Sequence, residues 1–313
     1  MSLAFVFPGQ GSQSLGMLSE LAEQFPQVQD TFSEASAVLG YDLWELVSIG
    51  SAEDLNQTDK TQPAMLAAGI AVWRCWQASS DITPAYFAGH SLGEYTALVA
   101  AGSLAFTDAI KLVEQRGQFM QQAVPAGEGA MAAILGLDDD AVIELCTEAS
   151  SKGVAEAVNF NSPGQVVISG SSDAINQAVE LAKEKGAKRA LLLPVSVPSH
   201  CALMKPAAEK LAQSLTSVAV QSPSTPVIHN VTVTSAGSES DIKGLLAQQL
   251  HKPVRWVETV QHLAESGVDT LIECGPGKVL AGLTKRIDKS VKGLAVFSPA
   301  TLEKAIQVLG EEA

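Results

Sequence analysis

In the stretch Ala85-Tyr86-Phe87-Ala88-Gly89-His90-Ser91-Leu92-Gly93-Glu94, an apolar run meets Gly-His-Ser-Leu-Gly and then helix-forming residues. This order places Ser91 on a sharp turn between a strand and a helix, the nucleophile-elbow pattern of α/β sheets. Glycines on both sides of the serine are expected to tolerate φ > 0 in a strained turn and to let a substrate approach the backbone closely. Such a turn lifts the hydroxyl out of the sheet and aims the amide of Leu92 at negative charge developing beside Ser91. The same five residues also fit a tight strand-to-helix turn whose serine merely caps the helix.

Outward from the elbow, strands and helices alternate. Residues 3–7 form a fully apolar strand that stops at Pro8-Gly9-Gln10-Gly11-Ser12-Gln13. That loop lacks the Gly-Lys-Ser/Thr ending of a nucleotide site, and reads instead as a donor loop at the carboxyl end of a strand. Helical periodicity covers 17–39, then 63–76 with Pro63 in the permitted first turn, the elbow helix to Gly102, and 107–123. Trp73 and Trp76 are expected in the core. Between about 129 and 195 the pattern changes to strand 130–135, helix 138–149, strands 154–160 and 166–169, helix 173–185 and strand 189–195. That βαββαβ order is the ferredoxin-like unit. Alternation then resumes with a helix in which Pro206 marks a kink or the true start, strand 227–233, helices 241–250 and 254–265, strand 270–274, strand 294–297 and helix 301–309. The expected architecture is α/β, with a parallel sheet in a large domain (1–128 and 197–313) and an inserted small ferredoxin-like domain (129–196).

At 313 residues and a formal charge of −14, the chain can bury a large core, and nucleic acid or an anionic membrane is not expected as its main partner. There is no apolar run of membrane-spanning length and no basic leader at the start, so a cytoplasmic location is expected. Cys75, Cys146, Cys201 and Cys274 are scattered, with neither a disulfide framework nor metal-ligand spacing. Basic residues cluster at Lys183, Lys185, Lys188 and Arg189, and again at Lys285, Arg286, Lys289 and Lys292; either cluster is a solvated helix face or a binding site.

A serine hydroxyl is a weak nucleophile until a nearby base removes its proton, and histidine is the usual base. Five histidines are available. His90 lies on the elbow, where the turn should point it away from the hydroxyl, and His262 reads as an exposed mid-helix residue. His200, in an irregular Pro-Ser-His segment after a strand, is the best placed, while His229 and His251 stay open. Cys201 beside it offers a thiol nucleophile as an alternative, although chain neighbours seldom face each other.

Phe5-Val6-Phe7-Pro8-Gly9-Gln10-Gly11-Ser12-Gln13, Thr61-Gln62-Pro63-Ala64, Gly89-His90-Ser91-Leu92-Gly93-Glu94, Gln115-Arg116-Gly117, Val197-Pro198-Ser199-His200 and Glu273-Cys274-Gly275-Pro276-Gly277 occur in order along the chain. In order and spacing they resemble the malonyl-CoA:acyl carrier protein transacylases of bacterial type II fatty acid synthesis, over nearly the whole length. The resemblance implies an α/β-hydrolase-like domain with an inserted ferredoxin-like domain. It implies Ser91 as the acylated nucleophile, His200 as general base and acid, and the amides of Gln10 and Leu92 as the oxyanion hole. The backbone carbonyl of Gln249 takes the place of a triad aspartate, and Arg116 pairs with the malonyl carboxylate. Without the resemblance, Arg116 reads as an i to i+4 surface pair on its helix. Gln62, His90 and Met120 match positions near the acyl pocket.

The implied substrate is a coenzyme A thioester, malonyl-CoA, with no permanently bound cofactor, and the implied partner is acyl carrier protein. That carrier is acidic, so a local basic patch supplied by Lys188-Arg189 or Lys285-Arg286 is expected to steer docking. A serine esterase or thioesterase shares the elbow, but its histidine usually lies near the C-terminus. A polyketide acyltransferase and an inactive carrier-binding scaffold are the remaining alternatives.

Overall fold

The computed structural model describes residues 2–195 and 197–311. Met1, Ser196, Glu312 and Ala313, which fall within the expected domain ranges, lie outside the described residues. The strands are β1 (Leu3–Phe7), β2 (Tyr86–Gly89), β3 (Gly129–Leu135), β4 (Ala155–Ser162), β5 (Gln165–Ser171), β6 (Arg189–Leu192), β7 (Val227–Ile228), β8 (Thr270–Cys274) and β9 (Lys292–Val296). They form a mixed α/β structure of one parallel sheet, in the order β7-β2-β1-β8-β9, and a separate antiparallel sheet, in the order β4-β5-β3-β6.

The central strand β1 is apolar throughout because both of its faces are covered. Phe5 and Phe7 enter one core with Trp73, Trp76 and Phe87, whereas Ala4 and Val6 face a second core with Trp256, Val260 and Leu263. The Phe5 ring meets Trp73 and Trp76 edge-on at centroid distances of 4.9 and 5.0 Å, so both tryptophans are core residues as expected.

In the antiparallel sheet the βαββαβ order holds, with helices Asp139–Ala149 and Ser172–Glu184 burying Val142, Leu145, Ile175 and Val179 against one face. The other face packs Met131, Val158 and Val167 around Cys201, toward the parallel-sheet part of the molecule. Val254 fastens the two parts together: its N–H donates to Val158 at 2.8 Å and its carbonyl accepts from Phe160 at 3.1 Å.

Several expected boundaries shift for local reasons. The 17–39 helix is two helices, Ser19–Gln24 and Pro26–Leu39, because Pro26 opens the second at its first turn. Pro63 lies inside the helix Thr58–Ser79 and not in its first turn. Pro206 marks the start of the helix Lys205–Leu215 and does not kink it. The strand expected at 227–233 stops at Ile228, because the chain turns back on itself, with Val233 at φ 57° and its N–H on the His229 carbonyl. The helix expected from 254 begins at Trp256, since Val254 is engaged with β4. The strand expected at 189–195 ends at Leu192. Among the described residues no helix is long and apolar enough to cross a membrane.

Candidate active site

Strand β2 ends at Gly89 and the helix Gly93–Ala100 begins two residues beyond Ser91. The left-handed backbone of the elbow belongs to Ser91 itself, at φ 52°, and not to the flanking glycines. Gly89 and Gly93 serve a different need from the one expected. A Cβ at Gly89 would lie 1.9 Å from the Gly93 carbonyl carbon, and one at Gly93 would lie 2.0 Å from the Phe7 oxygen. They let the helix start against the strand ends. A non-glycine residue in this region costs about 1–3 kcal/mol and persists only when its surroundings hold it. The Ser91 N–H donates to Asn230 Oδ1 at 2.7 Å and its carbonyl accepts from Gln249 Nε2 at 3.0 Å.

His200 is also left-handed, at φ 66°, with its N–H on the Leu250 carbonyl at 2.9 Å. Its Nε2 lies 2.8 Å from Ser91 Oγ, and its Nδ1 lies 2.7 Å from the Gln249 carbonyl. A carbonyl only accepts, so Nδ1 carries the proton and Nε2 presents a lone pair to the serine hydroxyl. Gln249 ends the helix Glu239–Gln249, where backbone carbonyls lack intrahelical donors, and this one is spent on His200. Burial, and then the Arg116 charge, push His200 down to about 3, so the imidazole is neutral and able to take a proton.

Arg116 is 1% exposed. It shares the buried stripe of helix Phe106–Ala123 with Leu112, Val113 and Met120, so the surface-pair alternative is overturned. Its Nη1 donates to Gln62 Oε1 at 2.8 Å, and its Nη2 donates to Gln249 Oε1 at 3.1 Å and to Ser91 Oγ at 3.4 Å. A buried guanidinium bonded to neutral oxygens beside a nucleophile is electrostatically ready for an anion.

The cavity above Ser91 measures about 180 Å³. Gln10, His90, Leu92, Arg116 and Met120 line it from the parallel-sheet part, and Met131, Asn159, Asn161 and Val167 from the antiparallel sheet. Gln62 sits behind Arg116, with its Nε2 3.4 Å from Met120 Sδ. His90 turns away from the hydroxyl as expected, with Nε2 2.8 Å from Asn161 Oδ1 and its ring against Trp256. Cys201 points elsewhere: its thiol donates to the Pro198 carbonyl and burial pushes it up to about 11, which removes the thiol alternative. His262 is half-buried, less exposed than its sequence suggests.

Glu94, Asn230, Asn159 and Asn161 were missed by sequence reasoning. The two β4 asparagines carried a signal, since polar residues two apart in a strand share one face. Asn230 and Glu94 carried none, because their roles are set by contacts across the fold. A wider groove of about 440 Å³ over Leu294, Phe297 and Ala305 offers only Lys278, Thr301 and Lys304 as side-chain polar groups, and no nucleophile–base pair. Among the described residues no group of three or more His, Cys, Asp or Glu side chains is placed to hold a metal.

The acyl transferase domain model matches residues 4–302. The malonyl CoA-acyl carrier protein transacylase of Salmonella typhimurium is 55% identical over 303 residues, covering 97% of this chain and 98% of the relative. The chain belongs to the acyl transferase family, among the malonyl CoA-acyl carrier protein transacylases. The crystal structure of an acyl carrier protein S-malonyltransferase from Vibrio cholerae superposes with a TM-score of 0.95 at 59% identity, covering 97% of this chain and 100% of that one. A malonyl-transacylase solved in complex with its type II PKS acyl-carrier protein gives a TM-score of 0.97 at 54% identity, covering 98% of this chain and 99% of the other. The family likeness therefore extends over both sheets and the cleft between them.

Proposed function

We propose that the chain transfers the malonyl group of malonyl-CoA to the phosphopantetheine thiol of acyl carrier protein through a malonyl ester on Ser91. The observation that carries this reading is the pair Ser91 Oγ and His200 Nε2 at 2.8 Å, with Nδ1 fixed by the Gln249 carbonyl. As Ser91 Oγ attacks the thioester carbonyl, His200 takes its proton. The amides of Gln10 and Leu92, both lining the cavity, are read as donors to the oxyanion. The C–S bond then breaks, and coenzyme A leaves as the thiol with the proton held by His200. In the second half, His200 takes the proton of the carrier thiol, whose sulfur attacks the ester carbonyl; the C–O bond to Ser91 then breaks, and His200 returns the proton to Ser91 Oγ. Arg116 pairs with the free malonyl carboxylate, exchanging its contact with Ser91 for a charged partner. An acetyl group would leave the guanidinium buried without that partner, which supports selection for malonyl.

The larger part is read as an α/β-hydrolase-like domain (1–128 and 197–313) and the smaller as a ferredoxin-like domain (129–196) that closes the cleft. The coenzyme A thioester enters as substrate, no cofactor is held permanently, and the enzyme acts in the cytoplasm. Intact mass after mixing with malonyl-CoA should show a malonyl adduct that maps to Ser91 and is removed by carrier protein. Ser91→Ala should abolish it and lower transfer by about 10³-fold or more; an undiminished rate would refute the mechanism.

One residue of each basic cluster, Arg189 and Arg286, comes near Gln165. Leu135 of β3 pairs with Gln165 on one side and Arg189 on the other, and Arg286 donates to Gln165 at 3.2 Å. Gln165 in turn lines a cavity that shares Gln10, His90 and Asn161 with the cavity above Ser91. Exposed Lys188, Arg189, Lys285 and Arg286 are read as the docking patch beside this cavity, a complement to an acidic carrier despite the net charge of −14. Charge reversal at Arg189 and Arg286 together should raise the carrier KM about 3- to 10-fold and flatten its salt dependence; an unchanged KM and salt slope would exclude this docking face. The relative bound to a polyketide carrier favours a second acceptor class for the same chemistry. The ratio of kcat/KM for fatty acid and polyketide carriers separates the two.

A further inference from the structure

Glu94, in the first turn of the elbow helix, is 1% exposed and takes no part in the transfer steps above. Its Oε1 lies 2.7 Å from His229 Nδ1, and its Oε2 accepts from the Asn230 N–H at 2.9 Å and from Gln249 Nε2 at 2.8 Å. Each Oε2 partner reaches the site. Asn230 accepts the Ser91 N–H and donates its Nδ2 to the Gly89 carbonyl at 2.7 Å. Gln249 Nε2 also donates to the Ser91 carbonyl, while Gln249 Oε1 accepts from Arg116 Nη2.

An amide side chain has a donor end and an acceptor end, and a carboxylate only accepts. Glu94 therefore draws the Gln249 NH₂ toward itself and turns the Gln249 oxygen toward Arg116. The reversed amide would set NH₂ against guanidinium, donor against donor, in a buried site, and would leave Glu94 Oε2 facing an acceptor. Each buried group left unpaired loses the hydration it had in water with nothing to replace it. One carboxylate at the back of the elbow thus governs whether the anion-receiving guanidinium is tethered.

We propose that Glu94 is a positioning residue for acyl-group selection: by fixing the Gln249 amide it holds Arg116 where the malonyl carboxylate arrives. The proposal rests on the malonyl-transfer reading. Glu94→Ala and Gln249→Met free the guanidinium tether; Gln249→Met keeps the backbone carbonyl that orients His200. Both variants should raise the KM for malonyl-CoA more than they lower kcat. Both should also cut the malonyl-to-acetyl ratio of kcat/KM by about tenfold or more, with the double variant no worse than either single one. Glu94→Gln should retain the ratio within about threefold, because the new amide offers its oxygen to Gln249 and Asn230 and its NH₂ to His229, which takes its other tautomer.

A purely structural role would lower malonyl and acetyl transfer together, and an unchanged ratio in Glu94→Ala and Gln249→Met overturns the proposal. Should Glu94→Ala fail to fold, Gln249→Met alone decides, by the same ratio. Arg116→Ala run beside them separates the two failures. If it leaves the ratio unchanged, the malonyl reading itself falls; if it lowers the ratio while Gln249→Met does not, only the role of Glu94 falls.

Discussion

Ser91 and His200 both adopt left-handed backbone, at φ 52° and 66°, yet they are held by different means. Ser91 is fixed by its own neighbourhood: a strand ends, a helix begins, and two glycines let them meet at a spacing that no Cβ would permit. Asn230 and Gln249 add hydrogen bonds to a turn already set by the chain around it. His200 sits in an irregular segment and takes its direction from one helix end, with its N–H on Leu250 and its ring on Gln249. A nucleophile can thus be built into ten consecutive residues, whereas its base is placed by a segment 49 positions further on.

The local half of this comparison breaks most severely at Gly93. Gly93→Ala sets a Cβ 2.0 Å from the backbone oxygen of Phe7, and neither element can move without disturbing the central strand. We expect a loss of about 3 kcal/mol or more, or no folded protein, read by thermal and urea unfolding. Melting as wild type would mean that the elbow is not locally constrained.

The tertiary half is tested at Arg116. Arg116→Ala should lower malonyl transfer by about 10²-fold with a relative gain for acetyl groups, measured with both coenzyme A thioesters. The same substitution removes a positive charge that helps hold His200 near 3. The acid limb of acetyl transfer should therefore move to higher pH, toward the ordinary histidine range. A limb that stays in place would separate the base from Arg116.

The smallest effect distinguishes the base from the nucleophile by titration. His200 binds a proton near 6.5 when unfolded and only near 3 when folded, so the unfolded chain holds more protons between those values. Its contribution to stability is present above 6.5 and is lost as pH falls toward 3. Glu273, buried at the end of β8, has the opposite sign. Burial pushes it up to about 7 from 4.5, so between those values the folded chain keeps a proton that the unfolded chain releases, and its contribution to stability, full below 4.5, is lost as pH rises to about 7. His200→Asn should remove the rise in melting temperature between about pH 3 and 6.5, and Glu273→Gln the opposing fall between about 4.5 and 7, each by about 2–4 °C. Ser91→Ala should change neither.

Much of the site is legible from the chain because its parts sit at strand ends, where parallel sheets collect functional groups. The Gln10 loop and the Ser91 elbow both follow short apolar strands, and the βαββαβ run shows through the change from helical to alternating periodicity. Other positions do not show. Arg116 has the residue type of a surface helix, and only the apolar spacing of Leu112, Val113 and Met120 hints that its face is buried. The 227–233 run has strand composition, but its last residues are drawn into a turn by His229 and Asn230, whose partner is Glu94 more than a hundred positions earlier.

The sequence by itself determined the elbow, much of the succession of strands and helices along the chain and the fully apolar character of β1, since these follow from hydrogen-bond periodicity and the alternation of side chains among near neighbours. Only the tertiary structure decided that His200 serves Ser91 across 109 positions, that Gln249 turns its carbonyl to one and its amide to the other, and that Arg116 lies buried between them. The environment of each of these side chains is made by residues distant in the chain, so its charge state, direction and partner exist only once the segments have packed together.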